Sequence, residues 1–264
     1  MKKLIYKYLC LAALLHIFPA GPASAKPLEI LLAYENTSLP PYYLGDAENI
    51  PEDPGIAVEL LILLDDRLPE VRFVFRRDPW KRCQKHLGAG QVDAIFPASF
   101  KAERQKIGVY PITGNDLDTS CAIVRLSYFL YTRTPERIGW NGRELASDGA
   151  IGAPTSYSIV GDLKKRGLIV DDSAPTTKQN LSKLRLGRVA AVAAQDCTAD
   201  PIIAADERLR KIVKIYPPLK TRHNYLMFSH RFMDRHPELA RRIWTTLRSV
   251  REQYGEALTR KYMN

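Results

Sequence analysis

Apolar runs of strand length alternate with helix-period segments along most of this chain, and that alternation confines it to the α/β class. Leu28 to Ala33 reads as a buried strand running into the loop Leu39-Pro40-Pro41-Tyr42-Tyr43. Asp53 and Pro54 then read as the cap and first position of a helix with Ile56, Ala57, Leu60, Leu61 and Leu64 on one face. Val71 to Phe75 is a short strand, Pro79 opens a helix that stops near Gly88 and Gly90, and Val92 to Phe96 is a third strand. This β-α-β-α-β series is the material of a mainly parallel sheet.

The pattern then repeats. Strands are expected at Ser127 to Thr132, Ala150 to Ala153, Val189 to Ala194 and Ile212 to Tyr216. Helices are expected at Ser156 to Arg166, Thr177 to Leu186 and around Ile202. A long helix opened by Pro237 presents Leu239, Ile243, Leu247 and Val250 on one face, and a shorter one, Glu256 to Tyr262, closes the chain. Gly114-Asn115-Asp116-Leu117-Asp118 looks like the connection between the two series, and Pro217-Pro218 like one that precedes a final strand and the last helices. The expected architecture is therefore two lobes, each a mainly parallel sheet flanked by helices, with the chain crossing between them.

The first 25 residues read as a cleavable export signal. Lys2, Lys3 and Lys7 give a positive start, Leu9 to Phe18 is mostly apolar, and Ala23-Ser24-Ala25 supplies the small-residue cleavage pattern. The apolar run is shorter than the roughly 20 residues a membrane-spanning helix needs, and Pro19 and Pro22 close it. A soluble protein outside the cytoplasm is expected. Losing the three lysines lowers the formal charge from +10 to +7. The basic side chains are scattered among 29 acids instead of forming a block, so nucleic acid is not an expected partner.

Three cysteines follow that segment, Cys83, Cys121 and Cys197, and none belongs to a CxxC or Cys/His cluster. No metal site is expected. In an oxidising compartment one disulfide is open to them; Cys121–Cys197 is the expected pairing, although spacing alone does not fix it. There is no nucleophile elbow, Walker loop or HExxH helix, and no cofactor motif, so a non-enzymatic role without catalytic residues is expected. Glu35, just after the first strand, is the one carboxylate placed to act as a general acid.

Several fragments, in order, resemble the periplasmic solute-binding proteins of the polar amino-acid type, family 3 of the bacterial ABC-importer binding proteins. They are Pro40-Pro41-Tyr42, Gly55 at a helix start, Gly90-Gln91-Val92-Asp93-Ala94, Glu103-Arg104 followed by Tyr110-Pro111, and Gly187-Arg188-Val189 with the nearby Gln195-Asp196. Pro79-Trp80-Lys81-Arg82-Cys83 looks like the "P-W-x-R" of a subgroup of these proteins. The resemblance implies the type II periplasmic-binding fold, with lobe 1 at 26–116, lobe 2 at 117–217 and a return to lobe 1 at 218–264. It also implies a monomer that captures a small polar solute, an amino acid or related carboxylate, and presents it to a membrane ABC permease or a sensor protein. Some proteins of this fold are enzymes, cyclohexadienyl dehydratases among them.

By the same resemblance Arg104 grips a ligand carboxylate, which a planar guanidinium does through paired hydrogen bonds, and Ser99 adds a hydroxyl. Across the cleft, Ser156, Tyr157 and Ser158 begin a helix whose free N–H groups favour an anion. Trp80, Tyr42, Tyr43 and Tyr34 are candidate aromatic walls. Asp196 is the candidate for a ligand ammonium, with Gln195 the alternative. The chain departs from the family pattern at Ala190, where an acid is usual, and at Pro97, Ala98, Phe100, Lys101 and Ala102, where Ser or Thr is common.

Overall fold

The computed structural model describes residues 26–263; the expected export signal lies outside them. The first series forms β1 (Leu28–Glu35), α1 (Ile56–Ile62), β2 (Val71–Asp78), α2 (Trp80–Gly88) and β3 (Ala94–Ser99). A small hairpin, β4 (Ile112–Thr113) and β5 (Asp116–Leu117), turns at Gly114-Asn115. The long strand β6 (Val124–Thr132) leads to a second hairpin, β7 (Ile138–Trp140) and β8 (Leu145–Ser147). Then come β9 (Ile151–Gly152), α3 (Ser158–Lys165), β10 (Val170–Asp171), α4 (Thr177–Arg185), β11 (Ala191–Gln195) and α5 (Asp196–Ala205). The 16-residue strand β12 (Val213–Phe228), α6 (His230–Arg235) and α7 (Pro237–Met263) complete the chain.

Eight strands form one sheet in the order β10-β9-β11-β6-β12-β3-β1-β2. Each end of it is a three-stranded parallel block, β3-β1-β2 on one side and β10-β9-β11 on the other. Between the blocks, β6 and β12 run antiparallel to each other and to the blocks they join. The α/β class read from the sequence is the one observed, with the two blocks held in a single continuous sheet.

The period-two alternation of a strand decides where the cores lie. On β1, Ile30, Leu32 and Tyr34 face α1 and the Ile243, Leu247 and Val250 stripe of α7, while Ala33 faces Trp80, Cys83 and Leu87 of α2. The second block repeats the scheme. Leu130, Ala191 and Ala193 pack on α3, whereas Phe129, Tyr131, Val192 and Ala194 pack on α4 and α5. Four apolar clusters, two per block, make up the buried core of the described residues.

Three local expectations change. The first helix begins at Ile56 with Gly55 before it, so Asp53 and Pro54 do not cap it. Gly55 has φ +96°, and a Cβ there would lie 2.7 Å from Tyr43 Cα, so the backbone can pass only without a side chain. The last two helices are one, α7, which runs through Gly255 because Leu258 is buried and Tyr262 and Lys261 bond Glu59 on α1. Pro217-Pro218 lies inside β12, at a register shift between Ile215 and Lys220, and does not precede it.

The cysteine expectation also fails. Cys83, Cys121 and Cys197 are free thiols. Cys121 Sγ donates to Asp118 Oδ2 at 3.4 Å, while Cys197 sits in the first turn of α5. Burial pushes the first thiol up to about 11 and the second to about 12, so both stay protonated at neutral pH.

Candidate functional site

Strands of an α/β sheet carry their loops, and commonly their ligands, at their carboxyl ends. Here the ends of β1, β3 and β11 converge with the first turns of α2 and α3 around one cavity of about 30 Å³, room for about two water molecules. Glu35 ends β1, Ser99 ends β3 and Gln195 ends β11. Trp80 opens α2, and Tyr157 and Ser158 open α3. Tyr128 of β6 and Asn224 of β12 form its floor from the two joining strands.

Arg104 lies at its centre, on the 3-10 turn Ala102–Lys106, and is only 8% exposed. Its Nη1 donates to the Ser99 carbonyl at 2.9 Å and to Ser99 Oγ at 3.1 Å. Its Nη2 donates to the Ser156 carbonyl at 3.0 Å, and Trp80 lies under the guanidinium at 5.5 Å. Ser156 presents that carbonyl from a left-handed backbone, φ +66°, which costs a non-glycine residue roughly 1–2 kcal/mol. No acidic side chain among the described residues pairs with Arg104. The guanidinium therefore carries a buried positive charge met only by neutral oxygens, a charge that an anion entering the cavity would neutralise. Ser158 Oγ, also in the wall, is buried without a hydrogen-bond partner.

Glu35 faces the same cavity and is 6% exposed. Its Oε2 accepts from Tyr43 Oη at 3.2 Å and from the Tyr157 hydroxyl, which reaches across from α3. Burial pushes its carboxyl up to about 7; the two phenol hydrogen bonds and Arg77 pull the other way and lose. Tyr43 and Tyr157 are raised well above the usual phenol value, first by burial and then by Glu35 itself.

A carboxyl neutral in the folded chain and free to ionise in the unfolded one makes stability pH-dependent. Its contribution is complete below about 4.5 and is lost as pH rises through about 7. The gap between those values corresponds to about 3 kcal/mol. Denaturant melts of the native protein and of Glu35→Gln should therefore diverge across that window, the native protein alone losing stability as pH rises. Parallel pH profiles would refute the buried neutral carboxyl.

Polar contacts also close the two blocks over the cavity. Lys101, after β3, bonds Asp162 of α3 at 2.7 Å, and Arg222 of β12 bonds the same carboxylate. Burial raises the Asp162 carboxyl, but these two cations together hold it below the usual carboxylate range. Glu103 and Lys165 add an exposed pair at 3.0 Å.

Eight of the residues given a role from the sequence line this cavity: Arg104, Ser99, Trp80, Tyr43, Tyr157 and Ser158 as ligand contacts, Glu35 as the general acid, and Gln195 as the alternative to Asp196. Ser156 contributes its carbonyl through Arg104. Three do not line it. Tyr34 points into the core beneath α1, its ring 5.0 Å from that of Phe96. Tyr42 turns aside, its hydroxyl 3.5 Å from the Arg125 carbonyl, and Tyr43 takes the place in the wall. Asp196 accepts from the Cys197 N–H at 2.9 Å and faces Lys214 at 3.9 Å, so Gln195 is the member of that pair on the cavity, with its Nε2 3.1 Å from Tyr128 Oη. Tyr128 carries no signal in the sequence because it sits in a strand expected to be core, and Asn224 because the polar run Lys220 to Asn224 has no site pattern of its own. No group of three or more His, Cys, Asp or Glu that could hold a metal occurs among the described residues.

The fold is shared with solved structures. A histidine kinase sensor domain with similarity to periplasmic binding proteins superposes with a TM-score of 0.67 at 16% identity, over 90% of this chain and 97% of that one. An ancestral arginine-binding protein bound to glutamine gives 0.64 at 12%, over 90% and 99%. The substrate-binding protein of an amino acid ABC transporter gives 0.62 at 13%, over 89% and 98%. This is the periplasmic-binding-protein fold. No family model matches the sequence, and neither does any curated protein.

Proposed function

We propose that this chain is a non-enzymatic solute receptor that works in the periplasm and closes its two halves on a small carboxylate-bearing solute. The observation that carries this reading is Arg104, a buried cation on the cavity that no protein carboxylate neutralises. The contacts between Lys101, Arg222 and Asp162 and between Glu35 and Tyr157 would form as the halves close. The cavity in this closed form is too small for a solute of amino-acid size, so capture requires the halves to part first.

Delivery to an ABC permease is the partner we favour, since similar structures include a transporter's substrate-binding protein. A sensor role, docking on a membrane receptor, is the second reading, favoured by the likeness to a kinase sensor domain. No helix among the described residues is long and apolar enough to cross a membrane.

A thermal-shift panel of amino acids, hydroxy acids, short peptides and polyamines tests the receptor reading. A solute at about 100 times its Kd stabilises by about 2.7 kcal/mol, and the melting temperature should rise by about 5–10 °C. No shift with any solute, together with turnover of prephenate or arogenate, would replace the receptor by an enzyme acting through Glu35.

A further inference from the structure

The candidate cavity uses the carboxyl ends of the parallel strands, which leaves their amino ends at the opposite edge of each block. The turns that enter the strands there differ in charge between the blocks. Before β2 (63–70) and β3 (89–93) they hold Asp65, Asp66, Glu70 and Asp93 against a single cation, Arg67. Before β10 (166–169) and β11 (186–190) they hold Arg166 and Arg188 and no acid. The chain leaving β6 brings Arg133 and Arg137 to the same edge. Thr132 Oγ1 donates to the Ala190 carbonyl at 2.9 Å, and Arg133 Nη1 to that of Arg185 at 2.6 Å.

Between these turns lies a groove of about 320 Å³, lined by Arg133, Arg137, Arg188 and the backbone of Gly149 and Gly187. Cations in the last turn of a helix complement its dipole, which accounts for Lys183 and Arg185 in α4. Arg133 and Arg188 lie outside any helix, and no acid pairs with either among the described residues; Arg137 has Asp148 at 3.4 Å. The N–H groups of Thr134, Gly149, Gly187 and Arg188 are bonded within the turns. The groove therefore offers an anion guanidinium groups alone, without the backbone cradle that suits a single small phosphate.

Two large apolar side chains stand exposed at this edge, Ile169 at 72% before β10 and Leu186 at 51% before β11. A small soluble anion would engage the arginines and leave both in water. Aliphatic side chains set among arginines match a surface that is anionic outside and apolar beneath. We infer that this edge of the second block docks on an anionic phospholipid surface, with Arg133, Arg137 and Arg188 on lipid phosphates and Ile169 and Leu186 entering the interface. The docking does not depend on the receptor reading, because groove and cavity lie at opposite ends of the block.

Co-sedimentation of the purified chain with vesicles tests this. Vesicles of phosphatidylglycerol mixed equally with phosphatidylcholine should carry the protein down, those of phosphatidylcholine alone should not, and added salt should weaken the binding. Each arginine near the surface is worth about fivefold in affinity, so Arg133→Gln with Arg188→Gln should weaken binding about 25-fold. Both side chains are exposed, so the melting temperature of that variant should stay close to the native value. Lys81→Gln with Lys85→Gln removes two exposed charges from α2 of the first block and should bind as the native protein does. Absence of binding, equal binding to both vesicles, native binding by the arginine variant or an equal loss in the lysine variant overturns the inference. Silence on vesicles with salt-sensitive binding to polyglutamate also overturns it and gives the edge to an acidic protein segment. The solute-induced thermal shift is read separately, and its presence or absence bears on the receptor reading alone.

Discussion

Arg104→Ala should abolish the ligand-induced rise in melting temperature. The guanidinium is the one positive group on the cavity wall, and it is buried against Trp80. Removing one partner of a buried, hydrogen-bonded charge pair costs about 2–5 kcal/mol or more, which is a loss of about 30-fold to several thousandfold in affinity. The carbonyls it leaves are partly provided for, since Tyr110 Oη still donates to the Ser99 carbonyl at 2.8 Å. The unliganded melting temperature should therefore move far less than the ligand response. Arg104→Lys keeps the charge without the planar fork and should recover part of the affinity. Unchanged binding in the alanine variant would remove Arg104 from the ligand site.

The largest loss of stability is expected from Phe228→Ala. Phe228 ends β12, is fully buried, stacks on Phe232 at 4.8 Å and meets the edge of Trp244 at 5.2 Å. It also pairs through its backbone with Val109, so its position ties β12 to the segment after Arg104. Truncating a buried phenylalanine costs about 3–5 kcal/mol, and for a chain of this size the melting temperature should fall by about 10 °C. Phe228→Leu keeps most of the volume and should lose about 1.5 kcal/mol or less. A fall below about 3 °C in the alanine variant would mean that α6 and α7 repack into the space.

Much of this architecture is legible without coordinates. Strand periodicity locates β1, β2, β3 and β11 to within a few residues, because β1, β3 and β11 alternate between two helical layers and the edge strand β2 between core and solvent. What local pattern misses is long-range. It breaks the chain into two strands at Pro217-Pro218, yet β12 runs from Val213 to Phe228 because β6 pairs with it on both sides of the prolines and β3 pairs with its end. It also divides the last helix at Gly255, a weak helix former that the contacts of Leu258 and Tyr262 with the rest of the molecule override.

The candidate site divides the same way. Arg104 and Ser99 are singled out by the resemblance to the solute-binding family, and Trp80 and the start of α3 by residue type and place in the chain; the burial of Arg104 belongs to the structure. Tyr42 lies in a turn and Asp196 opens α5, so the choice of Tyr43 over Tyr42 and of Gln195 over Asp196 is made by how the turn and the helix start are placed in the packed chain. The charge state of Glu35 depends on burial in the packed chain, which raises its carboxyl, set against a hydrogen bond from Tyr157, 122 positions away, which draws it down. By itself the sequence determined the alternating α/β class and the helix that starts near Ser158, with Arg104 singled out by resemblance. Only the tertiary structure decided which groups share the cavity and in what charge state, because burial and cross-chain hydrogen bonding are properties of the packed molecule.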